Sequence, residues 1–241
     1  MDLPTLPEAP RGSSPLLRRV GVRWLLTGLV VAGCAWAFVV IANAVSGPGL
    51  SFDRRLLEMF VDPAEPGRQL RPPWIAGAAR DITSLGSWTV LSLIVGVVSL
   101  GLIAAGQRRQ ALLVLAACSS GLMLSAVLKA VFLRARPEVA FRATEVWSTS
   151  FPSGHSMNAA VVYLTLAALV AQSQKRRRSA VFALTTGAGL AVLVGASRVY
   201  LGVHWPTDVL AGWAAGFGWA AAWWLVADRV RARHSAEKRP A

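Results

Sequence analysis

Apolar residues in this chain gather into six uncharged or nearly uncharged runs, at 24–45, 86–106, 111–128, 156–174, 179–197 and 209–227. Each holds 18 to 22 residues, close to the roughly 20 that a helix needs to cross about 30 Å of hydrocarbon. The pattern predicts an all-α protein, an integral membrane bundle of six transmembrane helices. Between the first two runs the pattern changes. Phe52, Leu56, Leu57, Phe60 and Val61 recur at helical spacing among Asp53, Arg54, Arg55 and Glu58. That predicts a short amphipathic helix in the membrane interface, acting as a lip beside a lipid gap or simply covering the loop. Residues 1–20, with Pro4, Pro7, Pro10 and Pro15, are expected to form a disordered tail. Residues 21–230 then make up the six-span domain, and 231–241 a basic tail.

Composition agrees with the pattern. Hydrophobic residues make up 54% and charged residues 15% of 241, against roughly 25% charged in soluble proteins. Soluble globular, disordered and fibrous classes are excluded. Cys34 and Cys118 both fall inside spans, so a disulfide framework or cysteine metal site is not expected, and both are read as small packing residues. Ala42-Asn43-Ala44 resembles a signal-peptidase site, but the apolar run before it exceeds the usual roughly 7–15-residue signal core. The first run is read as a retained anchor. Trp24, Trp74, Trp88, Trp147 and Trp205 sit near span ends, as interfacial anchors do. Gly212 and Gly216 form a small-xxx-small pair suited to close helix packing.

The net charge of +13 would suit a nucleic-acid partner, but its distribution does not. If the six runs alternate across a membrane, both chain ends share one side. That side carries 15 Lys and Arg with 4 acidic residues, and the other carries 10 with 8. The positive-inside tendency predicts cytoplasmic termini. The basic charge therefore reads as topology, with no nucleic-acid partner.

Polar residues near membrane depth are few and clustered. Lys129 ends the third run, followed by Arg134, Arg136 and Pro137. Pro152-Ser153-Gly154-His155 opens the fourth, Ser197-Arg198 closes the fifth, and His204 and Asp208 introduce the sixth. Ionisable groups at such depth are costly and point to function. Parity places both connections on the same side, so these groups can converge at the outer face. Lys129, Arg136 and Arg198 are three cations with one carboxylate among them, which defines an anion site. Ser153-Gly154-His155 starts a helix, whose free N–H groups favour an anion too. Two histidines beside a bound phosphate suggest a nucleophile and a general acid. Pro206 fits a first helical turn, which lets Asp208 fold back onto His204, fix its tautomer and free the other ring nitrogen to attack. His155 would then protonate the leaving oxygen.

Lys129-x6-Arg136-Pro137, Pro152-Ser153-Gly154-His155 and Ser197-Arg198-x5-His204-x3-Asp208 are similar to the three signature motifs of the type 2 phosphatidic acid phosphatase (PAP2) family. Its superfamily also holds vanadium haloperoxidases and glucose-6-phosphatase. The resemblance implies a metal-independent phosphatase that passes through a phosphohistidine and needs no cofactor. By motif position it implies His204 as nucleophile, Asp208 as its orienter and His155 as acid. Lys129, Arg136, Ser153, Gly154 and Arg198 would hold the phosphoryl group. The expected partner is a lipid phosphate in the bilayer: phosphatidic acid, phosphatidylglycerophosphate, diacylglycerol pyrophosphate or a polyprenyl mono- or diphosphate. In a bacterium, an outward site would favour a polyprenyl diphosphate carrier.

Two other classes share this scaffold, a vanadate-dependent oxidase and a non-catalytic lipid-binding or transport protein. Six membrane spans and a lipid-level site argue against the oxidase, which would use the same anion pocket, and the binding protein would not need the nucleophile, the acid and the aspartate together. No Asp/Glu/His cluster has metal-ligand spacing, and three cations can neutralise a transferring phosphoryl as a metal would. His204 must be neutral to attack and His155 charged to donate, which predicts a bell-shaped pH profile. Lys129 could instead snorkel from its span end. Arg134 and Arg142 lie off the motif spacing and are expected in the interface. Ser153 and Thr207 could cap helices, Ser197 is expected to support from behind, and His234 to be bystander charge in the tail.

Overall fold

Each apolar run forms a helix, because a backbone in hydrocarbon can satisfy its N–H and C=O groups only internally. The computed structural model describes residues 15–47, 50–62, 64–65, 70, 72–144 and 148–237, the side chains of 15–20 and 233–237 excepted. The helices are α1 (Pro15–Val45), α2 (Ser51–Glu58), α3 (Pro73–Ser84), α4 (Trp88–Ala104), α5 (Arg108–Val131), α6 (Gly154–Ser173), α7 (Arg177–Tyr200) and α8 (Pro206–Glu237). α1 and α8 thus run into the segments expected as tails. Residues 1–14 of the first tail, 238–241 of the second, Trp147 and the His234 side chain lie outside what is described.

α1 from Gly21, α5, α6, α7 and α8 are each long and apolar enough to span a membrane. α4 has 17 residues and rises only about 25 Å at 1.5 Å per residue. It passes the same test jointly with α3, which meets it at 47°. The expected interfacial helix is present as α2, but α3 was not foreseen. Its residues, Pro73 to Ser84, mix small, charged and apolar types over only 12 positions, too few to read as a span of their own. The bend is a packing site. A Cβ on Gly86 would lie 3.1 Å from the His155 carbonyl and would overlap Val194, so only glycine lets the α3–α4 corner sit against α6 and α7.

α6 is the central helix, packed on α5, α7 and α8. Its stretch Ser156–Tyr163 is buried throughout. Ala159, Ala160, Val162 and Tyr163 share a core with Leu91 and Val95 of α4, Val114 and Cys118 of α5, and Ala191 and Val194 of α7. Small residues set the spacing, since packing between spans comes from close backbone approach rather than from hydrophobic burial. A Cβ on Gly212 would come 2.7 Å from the Ser153 carbonyl oxygen, and one on Gly216 equally near that of Met157. Gly212→Ala is expected to push α8 off the start of α6 at a cost of about 1–3 kcal/mol, as overpacking does. Thermal unfolding in detergent reads this, and an unchanged midpoint would show that the two helices tolerate the extra methyl.

α1 lies along α8 and presents Leu25, Leu26, Leu29 and Trp36 outward, where lipid is the solvent. Its start is pinned by Trp24, whose indole N–H donates to Asp228 at 2.9 Å beneath the Arg229 guanidinium. Near its other end, Phe38 meets Phe132 and Phe151, with ring centroids 5.1 to 6.0 Å apart. That aromatic trio ties α1, the end of α5 and the 148–153 loop together under the polar cluster. Trp74 and Trp88 are exposed, as anchors near a membrane surface require.

Candidate active site

Four helix ends come together at one side of the bundle: the last turns of α5 and α7 and the first turns of α6 and α8. Lys129, Arg198, His155 and Asp208 sit on them, with Arg136 and His204 in the connections. Local backbone rules build the α7–α8 corner. α7 ends in a Schellman motif, in which Val203 N–H donates to the Arg198 carbonyl and Gly202 N–H to that of Val199. Gly202 has φ +69° and lies against the Phe141 carbonyl with no room for a side chain. Two residues later His204 is set inward, 1% exposed. α8 then starts at Pro206, as expected. From the third position of the helix, Asp208 reaches back to accept from the Trp205 N–H at 3.0 Å, half of a capping box.

The His204 ring is held at both nitrogens. Nδ1 lies 3.4 Å from Asp208 Oδ2, and Nε2 lies 3.2 Å from the Arg136 guanidinium. Burial, reinforced by Arg136, Arg198, Lys129 and His155, pushes its pKa well below 6.5. The imidazole is therefore neutral at physiological pH. Arg136 is itself anchored to carbonyl oxygens, donating to Ser148 at 2.5 Å and to Val203 at 2.6 Å. Burial draws its pKa down to about 10, which leaves it charged.

Lys129 does not snorkel outward. Its ammonium donates to the Thr149 carbonyl at 2.7 Å, and a Cβ on Gly154 would meet its Cε at 3.0 Å. Gly154 thus makes the room that brings the lysine over the start of α6. Ser153 precedes that helix without a side-chain capping bond. It accepts from Ser156 Oγ at 2.8 Å, which leaves its own proton free to donate. Arg198 is 5% exposed and donates to Thr83 at 3.3 Å, yet its buried Nε–H has no partner among the described residues. An orphan donor of that kind costs about 1–3 kcal/mol, and an anion would relieve it. The half-buried His155 ring makes no hydrogen bond among the described residues, and it lies within electrostatic reach of Arg198, Lys129 and Arg136.

Arg134 departs from expectation. Its side chain turns inward and is only 14% exposed, donating to Asp208 at 2.6 Å and to Asp53 at 2.7 Å. Thr207 does not cap α8 either. It occupies the second position, and Asp53 of α2 accepts its backbone N–H at 3.0 Å. Arg142 closes on the Pro137 carbonyl, and Ser197 bonds the Val194 carbonyl, a supporting position. Asp53, Thr83, Ser148 and Ser150 were not read from sequence. Ser150 lies in the 148–153 loop, and its hydroxyl donates a short bond to Asp208. Among the described residues no three of His, Cys, Asp or Glu gather as metal ligands.

A set of cations, an orphan guanidinium donor and a neutral imidazole backed by a carboxylate, all at one end of a membrane bundle, define a membrane-embedded phosphatase. Residues 110–232 match the family described as the PAP2 superfamily, and the chain belongs to that superfamily. It is 38% identical over 151 residues to phosphatidylglycerophosphatase B of Bacillus subtilis, covering 61% of this chain and 72% of that protein. It is 43% identical over 67 residues to an undecaprenyl-diphosphatase of Sulfolobus acidocaldarius, 28% of each chain. The crystal structure of the transmembrane PAP2-type phosphatidylglycerolphosphate phosphatase from Bacillus subtilis superposes with a TM-score of 0.75 at 30% identity, covering 83% of this chain and 96% of that one. Aquifex aeolicus LpxE, at 21% identity and TM-score 0.55, covers 72% and 95% and shares the fold.

Proposed function

We propose that this membrane lipid phosphatase hydrolyses a lipid phosphate ester without a metal, through a phosphohistidine on His204. The observation that carries the reading is the two-sided hold on His204, with Asp208 at Nδ1 and a cation at Nε2. Nδ1 keeps its proton toward Asp208, so the Nε2 lone pair is the one available. In the resting site Arg136 donates toward it, and a bound phosphoryl oxygen would take that donor over. Nε2 then attacks phosphorus, the bond from phosphorus to the lipid oxygen breaks, and His155 gives that oxygen its proton. Water next attacks the phosphohistidine and loses its proton to His155, releasing inorganic phosphate and restoring His204. Lys129, Arg136, Arg198, Ser153 and the backbone at Gly154 hold the phosphoryl oxygens, spreading positive charge where negative charge develops.

Phosphatidylglycerophosphate is the first substrate to test, because the Bacillus relative named for it matches over most of this chain. The Sulfolobus match favours a polyprenyl diphosphate as the second. The excess of Lys and Arg at the end opposite the site supports cytoplasmic termini and a site facing the exterior. The test is phosphate release by purified protein in detergent from phosphatidylglycerophosphate, phosphatidic acid and undecaprenyl diphosphate, each with EDTA. Turnover unaffected by EDTA is expected, and loss of turnover with recovery on adding a divalent metal would overturn the metal-free scheme. The same assay over a range of pH locates the acid limb. A lowered pKa keeps His204 neutral further down the scale, so kcat/KM should fall only well below pH 6.5, once the substrate's own ionisation near about pH 6 is allowed for. An acid limb centred at or above 6.5 would contradict a neutral nucleophile.

A further inference from the structure

We propose that Asp53 and Arg134 are a positioning pair that sets the orientation and effective charge of Asp208 against His204. The proposal rests on the roles given above to Asp208 and His204. Neither residue belongs to the three motifs, and Asp53 lies 154 positions before Thr207, which it contacts.

Asp53 sits on a short amphipathic helix whose other charged residues are exposed, yet it is 1% exposed. A carboxylate is buried that deeply only when it is fully paired. One oxygen accepts the Thr207 N–H. The other accepts the Thr207 hydroxyl at 2.6 Å and Arg134 Nη2 at 2.7 Å. The second arm of the Arg134 fork donates to Asp208 Oδ1 at 2.6 Å and to Thr207 Oγ1 at 2.8 Å. Asp208 Oδ1 is thereby occupied, and Oδ2 faces Ser150, Trp205 N–H and His204 Nδ1. The carboxylate cannot rotate away from the imidazole without breaking the bridge.

The charges matter as much as the geometry. With Asp208 as its only counterion, Arg134 would draw negative charge away from His204. Asp53 supplies Arg134 with a second carboxylate, so Asp208 keeps its pull on the Nδ1 proton. That pull becomes stronger when the ring bears a phosphoryl group and turns cationic. Asp53 and Leu57 lie one turn apart on α2, and Leu57 packs with Val61 and Phe141. The helix at the membrane surface is therefore keyed into the catalytic corner at two points.

The experiment measures kcat and KM on dioctanoyl phosphatidic acid in detergent for Asp53→Asn, Arg134→Lys and Asp208→Asn, and for each of the first two combined with Asp208→Asn. Thermal unfolding is followed for all. Because the pair acts through Asp208, Asp53→Asn should lower kcat about tenfold, within the range for coupled neighbours. KM should stay within about twofold, and the effect should disappear in the Asp208→Asn background. Arg134→Lys, which keeps the charge and loses the fork, should behave the same way, and it decides the matter if Asp53→Asn does not fold. An equal kcat loss in both backgrounds, a change in KM alone, or no change in kcat overturns the proposal. If Asp208→Asn itself leaves kcat intact, the reading of the His204–Asp208 pair fails instead, and the two failures are distinct.

Discussion

His204→Ala is expected to lower kcat by about 10⁵-fold, the scale seen when a nucleophile is removed from a catalytic unit, while the protein stays folded in detergent. Both halves of that result follow from the packing. Asp208 retains Arg134, Ser150 and the Trp205 N–H when the imidazole is gone, so no buried carboxylate is stranded. The corner that carries residue 204 is built by the Schellman turn at Gly202, which does not involve the ring. Phosphate release and acid-quenched trapping of labelled enzyme read the result. Labelled protein that persists in the alanine variant would place the covalent phosphate elsewhere. Release within about tenfold of the parent would remove the phosphohistidine from the scheme, since general acid–base effects alone amount to about 10²–10⁴-fold.

Arg198→Met should lower kcat/KM by about 10³-fold, in line with loss of one preorganised charge on a transferring phosphoryl group. Methionine fills much of the arginine volume, so packing is largely kept. Arg198 shares its neighbourhood with Arg136 and Lys129, and its Nε–H has no partner among the described residues in the resting site. Its removal therefore relieves repulsion in the absence of an anion. The expected signature is a thermal midpoint equal to or above that of the parent, combined with the loss of activity. Inorganic phosphate should stabilise the parent and not the variant. A variant that loses stability and activity together, yet is still protected by phosphate, would make Arg198 structural rather than a phosphate holder.

The two predictions differ in what they ask of the site. The first removes the atom that forms a bond, and the second removes charge around it. Their contrast separates chemistry from binding in a way that phosphate release by the parent protein cannot.

Much of this protein is written locally in its chain. Five spans were legible as single helices because hydrocarbon leaves a backbone no option but the helix, and the 86–106 run also forms a helix, which reaches span length only together with α3. The corners at Gly202 and Pro206 depend on residues that are neighbours in sequence. Parity brings Lys129, Arg136, His155, Arg198, His204 and Asp208 to one end of the bundle without any knowledge of how the helices pack. Tertiary structure decided the rest. Helix α3 went unread because its small and mixed residues become a membrane element only through the bend against α6 and α7 at Gly86. Arg134 reads as an interfacial charge because the local rule for an arginine at a span end is to seek water. Two carboxylates, one from α2 and one from α8, reverse that rule. Asp53 lies among charges on a short amphipathic helix, and water is the default for such a side chain. What buries it is an unpaired N–H at the start of α8 together with the Arg134 fork, partners set by distance in space rather than along the chain. Local patterning thus determines which groups reach the membrane surface, and packing determines which of them point inward, because a buried charge is stable only where its counter-charges already stand.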